Sequence, residues 1–272
     1  MASSFKTPLT VEAIRDSELY PILLKIGGQP EPLSESVIAQ KLRAAEDFYE
    51  RALEVRFSES RVVSDPGGRG LAADTYDVEI PAFNFPECHT FGYTELPYRP
   101  IRAVTQAFFA YPGAPAIQPG FVVPNPWIRL DRRFGKLYFV PAGALALNAA
   151  KMSGLIMSAI AYGQRIPMCF FVDYTCGFTS AELRHDHNDL LEAIRLRAAL
   201  LILGIASAIR NRGLGSQSLS EDGLSQSQSF ITQKYGPYSG TVELWMKAEA
   251  DLVQNWQRQE RGIPFGVLGA VA

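Results

Sequence analysis

The chain has 272 residues, 47% of them hydrophobic and 20% charged, with 26 Lys and Arg against 28 Asp and Glu for a formal net charge of -2. That composition supplies a proper core and argues against wholesale disorder. The near balance of charge argues against a protein whose main partner is nucleic acid, although it leaves a locally basic surface open.

Three cysteines, Cys88, Cys169 and Cys176, are an odd number without a CxxC spacing, the pattern of free, mostly buried thiols in a reducing cytoplasm. The opening MASSFKTPLT has no apolar core of a secretory signal. The longest apolar run, residues 198–209, is too short to span a bilayer, which needs roughly 20 residues. The expectation is a soluble protein with no membrane partner.

In chain order, a short helix interrupted by Pro21 is expected around residues 10–24. Val37, Ile38, Leu42, Ala45, Phe48, Tyr49, Ala52 and Val55 recur at helical spacing behind a Ser34 cap, which predicts a helix over about 34–57. Its other side, with Lys41, Arg43, Asp47, Glu50, Arg51 and Glu54, reads as a solvated face, and the paired Glu46/Asp47 carboxylates are read the same way. Residues 58–140 are rich in Pro and Gly, with β-favouring runs at 76–80, 103–111, 127–130 and 136–140, predicting a small antiparallel β insertion. Residues 142–163 read as a glycine-weakened helix, 168–178 (MCFFVDYTCGF) as a buried strand, and about 180–212 as one long helix with an all-round apolar second half. Thr241 is read as the cap of a last helix, ended near Arg261 by Gly262 and Pro264.

The fold class is therefore α+β: a helical-bundle core over 1–212 with the β insertion at about 58–140, a Ser/Gln-rich arm over 213–237, and a C-terminal helix and extended tail over 238–272.

Catalytic chemistry is weakly signalled. In His185-Asp-His187-Asn-Asp189 the two histidines stand two apart, which on one helix would not share a face, and His89 is the only other histidine. The bland reading is a polar first turn of the long helix, favoured by its dipole. The 65–70 stretch DPGGRG lacks the GK[ST] ending of a phosphate loop and reads as a plain loop. No GxSxG occurs, and Cys88-His89 is an adjacent pair without the spacing of a nucleophile and its base. Neither catalytic residues nor a cofactor or metal site are expected.

The serine ladder is more informative. With Asp222-Gly223 at a tight turn, Glu221 faces Leu224, Ser220 faces Ser225, Ser218 faces Ser227 and Ser216 faces Ser229. One face is then all serine and the other carries Gln217, Leu219, Gln226 and Gln228. A flexible Ser/Gly/Gln linker is the competing reading, but a linker needs no such symmetry. A two-stranded hairpin is marginal alone, and the uncharged tail (residues 263–272) is an aggregation hazard in water. Two segments asking for outside burial point to a component of an assembly.

In this order, the amphipathic helix VIAQKLRAAEDFYERAL, the proline-led strand RPIRAVTQAFFAYPG, the strand IPMCFFVDYTCGF with its V-x-Y-T-x-G-F pattern, the helix DLLEAIRLRAALLILGIAS and the segment SLSEDGLSQSQS resemble the head–tail connector or adaptor proteins of tailed bacteriophages. The resemblance covers most of 34–57 and 97–261. It implies a virion neck protein without enzymatic activity or cofactor, made in the host cytoplasm. Its subunits would form a ring, commonly a dodecamer, beneath the portal protein, joined to an adjacent neck or tail protein and enclosing the channel for DNA. On this reading Ile263, Pro264, Phe265, Val267, Leu268 and Val271 form the docking tail, with a tail folded back on its own subunit as the alternative. Ser216, Ser218, Ser220, Asp222, Gly223, Ser225, Ser227 and Ser229 form an inter-subunit arm. Arg129, Arg132, Arg133 and Lys136 are candidates to face the channel, or else an ordinary exposed turn. The competing functional class is a metal- or nucleotide-dependent phage enzyme built on the His185/His187 region.

Overall fold

The computed structural model describes residues 5–16, 34–85, 93–110, 117, 119–140, 166–211, 216–221, 224–229 and 239–261. It is α+β and divides into two compact units, Leu53–Thr179 and the remainder, Met1–Ala52 with Ser180–Ala272. The expected helix at 142–163, Cys88 and His89 lie outside the described residues. Among the described residues no helix is long and apolar enough to cross a membrane.

The unit Leu53–Thr179 is built on sheets. Its strands are β1 (Ser60–Ser64), β2 (Val78–Ile80), β3 (Phe83–Phe85), β4 (Tyr93–Glu95), β5 (Ile101–Phe109), β6 (Phe121–Val122), β7 (Ile128–Asp131), β8 (Lys136–Phe139) and β9 (Ile166–Cys176). One sheet runs β2-β1-β9-β5-β6 with β3 also on β9, and a second runs β4-β8-β7. The expected small antiparallel insertion is thus a six-stranded sheet plus a three-stranded one, and β1 and β2 pair in parallel. The reason is β9, whose near-continuous apolar run fits a strand covered on both faces and pairs with β1, β3 and β5.

The two faces of β9 feed two clusters. Phe170, Val172, Tyr174 and Cys176 join Val62, Leu96, Ile101 and Trp127, while Phe171 joins Phe108, Ala110 and Ala82. Cys169 and Cys176 are buried thiols outside any disulfide, as their isolation in the sequence leads one to expect. Gly177 explains the glycine of the V-x-Y-T-x-G-F pattern. Its φ is 110°, and a Cβ there would lie 2.1 Å from the Ser58 carbonyl oxygen, so only glycine fits.

The other unit holds α1 (Val11–Arg15), α2 (Glu35–Leu53, whose last residue opens the sheet unit), α3 (Ser180–His185), α4 (Asn188–Asn211) and α5 (Ser239–Arg261), with the hairpin strands β10 (Ser216–Glu221) and β11 (Leu224–Ser229). Thr10 caps α1 by accepting from the Ala13 N–H. The helix expected over 34–57 ends at Leu53. Glu54 takes a left-handed φ of 55°, Val55 bridges Arg99, and the Arg56 N–H donates to the Arg99 carbonyl at 2.9 Å. Likewise α5 starts at Ser239, ahead of Thr241.

The expected long helix over 180–212 is two helices, α3 and α4, broken at Asp186 and His187. The Asp186 and His187 N–H groups both donate to the Glu182 carbonyl, which closes α3, and α4 packs along α5. Ala198, Ala199, Leu200, Ile202 and Leu203 are buried, as an all-round apolar segment requires. Truncating Leu203, fully buried, to alanine should cost about 2–5 kcal/mol through lost burial and the cavity left behind. A melting temperature unchanged in Leu203→Ala would contradict that packing.

Candidate assembly surfaces

The solvated-face reading of α2 fails at Glu46 and Glu50, which are 1% and 5% exposed. Residues of the N-terminal segment lie over them. Glu46 accepts from the Lys6 and Thr7 N–H groups and from the Thr7 hydroxyl, while the Lys6 ammonium bridges Asp47 at 2.7 Å and Glu50 at 2.6 Å. Burial pushes the Glu46 carboxyl above the usual carboxylate range, against the pull of those hydrogen bonds.

A second buried acid, Glu249 on α5, accepts from the Tyr49 hydroxyl of α2 and lies 3.6 Å from the Arg197 guanidinium of α4. Arg197 also stacks 4.2 Å from the centroid of the Phe48 ring. Phe48, expected on the buried stripe, is instead 40% exposed. Burial raises Glu249 above its ordinary range although Tyr49 and Arg197 oppose the shift. A carboxyl raised on folding contributes stability that is complete below its unfolded pKa and is lost as pH rises through its folded pKa. The melting temperature of the native chain relative to that of Glu249→Gln should therefore rise as pH falls from neutrality toward the ordinary carboxylate range. A pH-independent difference would show that Glu249 ionises in the fold as it does in the unfolded chain.

Of the residues behind the enzymatic reading, His187 and the glycine-rich loop make structural contacts. His185 is exposed at the end of α3, and His187 lies in the junction, where its Nδ1 accepts from the Trp256 indole N–H of α5 at 3.2 Å. Among the described residues no group of three or more His, Cys, Asp or Glu could hold a metal ion. The DPGGRG loop is an anchor. Arg69 grips Asp173 of β9 through two hydrogen bonds, Nη1 to Oδ1 at 2.7 Å and Nη2 to Oδ2 at 2.6 Å, and its Nη1 donates to the Ser64 carbonyl at 3.1 Å. The guanidinium sits 4.9 Å from the centroid of the Phe108 ring, which stacks on Phe171 at 4.9 Å. Asp173 is 2% exposed. A carboxylate inside the run Phe-Phe-Val-Asp-Tyr was the available signal, because a buried charge requires a partner.

Arg129, Arg132, Arg133 and Lys136 gather on the β7–β8 hairpin, and Arg129, Arg132 and Arg133 are exposed. Register sets Arg129 opposite Tyr138 and Tyr138 opposite Tyr93, and puts Lys136 between Asp131 and Glu95 on its two neighbouring strands. The Lys136 ammonium lies 4.4 Å from the centroid of the Tyr93 ring and 5.9 Å from that of Phe134, so it rests against aromatic faces and is not a bare surface cation. Arg129 donates to the Pro126 carbonyl at 3.0 Å. Arg132 and Arg133, both exposed, stand at the hairpin's turn.

In the Ser/Gln segment, β10 and β11 pair antiparallel with Ser216 opposite Ser229, Ser218 opposite Ser227, Ser220 opposite Ser225 and Glu221 opposite Leu224. This is the register that the serine alternation predicts. The Asp222-Gly223 turn and the tail at 263–272, with Ile263, Pro264, Phe265, Val267, Leu268 and Val271, lie outside the described residues.

No family model and no curated protein matches the chain. Two solved structures resemble it loosely. A chain from the neck of an empty gene transfer agent particle, computed with C6 symmetry, has a TM-score of 0.40 and 16% identity over 99% of this chain and 96% of that one. A chain from the virion of a native gene transfer agent particle has a TM-score of 0.39 and 17% identity over the same shares. At such TM-scores neither likeness bears on what this chain does.

Proposed function

We propose that this chain is a structural protein of a tailed-phage neck, an adaptor that forms a ring beneath the portal and joins capsid to tail around the DNA channel. The observation that carries the reading is the β10–β11 ribbon. It is a two-stranded sheet with no third strand among the described residues, in a segment whose sequence resembles adaptor proteins. A ribbon of two short polar strands has too little apolar area to be stable by itself, so it calls for a partner. The V-x-Y-T-x-G-F pattern adds support, because its residues hold the centre of the sheet unit through β9 and Gly177.

In this proposal the tail at 263–272 docks to the portal or to an adjacent neck protein, and the hairpin reaches a neighbouring copy. The exposed turn of the β7–β8 hairpin, with Arg132 and Arg133, faces the channel, where bare carboxylates would repel passing phosphates. The DNA is not read by sequence. The chain acts in the virion after assembly in the host cytoplasm, without cofactor or catalysis. Native mass measurement of the purified chain tests the reading: the expected species is a closed ring, near a dodecamer of the 30.0 kDa subunit. A strictly monomeric protein carrying stoichiometric metal would instead favour the enzyme reading.

A further inference from the structure

The outermost strands of this protein's other described sheets are short. β2 and β4 have three residues each, β6 has two, and β7 has four with Arg129 and Asp131 among them. Short, charged edges keep sheets from pairing with other chains. The strands β10 and β11 break this pattern. Each has six residues, SQSLSE and LSQSQS, with no proline, no glycine, no basic residue and Glu221 as the single charge. Each pairs on one side only, so each has an outer edge without a partner strand among the described residues.

We propose that these edges pair with each other between copies, β11 of one subunit running antiparallel to β10 of the next, so that the hairpins of a ring form one continuous crown of strands. The inference rests on the ring reading above and specifies how the subunits join. Two points favour a second copy over another protein. A hairpin with one edge of each kind pairs head to tail, the interface type that generates a ring when the rotation closes. Closing strands into a ring also staggers the pairing by a fixed shear. The alternation in 216–220 and 225–229 tolerates that stagger, because a shift of two residues still sets serine opposite serine. A sequence with varied side chains would tolerate only one register.

The test co-expresses two full-length single variants, Ser218→Cys and Ser227→Cys, with different affinity tags and treats the pair with a short bis-maleimide. Each variant alone supplies the baseline from the native cysteines. The expected result is a covalent heterodimer several-fold above either baseline, lost when Gln226→Pro is added to the Ser227→Cys chain. Rings by electron microscopy without that heterodimer would overturn edge pairing and leave the ring reading standing. Heterodimers from a chain that makes no rings would keep the pairing and sink the ring reading. A dimer formed equally well by Ser227→Cys alone would replace head-to-tail pairing with a twofold contact, against the proposal.

Discussion

Replacing Asp173 with alanine is expected to cost about 3–5 kcal/mol, the usual penalty for breaking a buried ion pair and stranding its partner. The side chains of Arg69 and Asp173 are 10% and 3% exposed, and the pair lies against the Phe108–Phe171 stack at the middle of the sheet unit. Without Asp173 the guanidinium keeps the Ser64 carbonyl but loses both charged hydrogen bonds. Much of a small domain's stability would go with it, since folded domains are marginal by about 5–15 kcal/mol. The double change Arg69→Met with Asp173→Leu should recover most of the loss, because apolar groups of similar volume need no partner. Denaturant unfolding of the three proteins decides it. If the double variant is as unstable as Asp173→Ala, the ion pair's geometry and not its stranded charge holds the loop.

Deleting residues 263–272 is expected to leave a soluble, normally folded subunit that no longer binds the portal. The segment carries Ile263, Phe265, Val267, Leu268 and Val271 with no charged residue. Burying three or four such side chains contributes roughly 1.5–3 kcal/mol each before ordering costs. Repetition around a ring multiplies that contact through avidity, so the loss should be near complete at working concentrations. Circular dichroism and co-sedimentation with the portal are the measurements. A truncated chain that co-sediments as well as the intact one would assign docking to another surface, and a truncated chain that misfolds would mean the tail packs on its own subunit.

What the sequence disclosed depended on whether the signal was local. The stripe of α2, the apolar run of β9 and the serine alternation of β10 and β11 are periodic patterns, and each yielded its element, in the hairpin down to the register. The short strands β1, β3, β4 and β6 were missed because two to five residues carry no period and form only by pairing with distant partners. Burial of charge was misread for the same reason. Glu46 looks solvated on its own helix, and its partners Lys6 and Thr7 lie 40 and 39 residues away. The Asp186–His187 break was hidden because Leu183, Leu190 and Leu191 keep helical spacing across it, while the junction is fixed by Glu182 and by the Trp256 contact.

For the candidate site, the hairpin and the basic turn were legible as segments, but the surroundings of Lys136 were not. Asp131 comes to its side from β7, and Glu95 and Tyr93 from β4, through strand pairing.

The most direct measurement of the central claim is electron microscopy of the purified chain mixed with the portal protein of the same phage. The account predicts a ring of this subunit seated coaxially under the portal, with an open central channel. Portal particles that remain bare, with this chain dispersed as single subunits at saturating concentration, would contradict it.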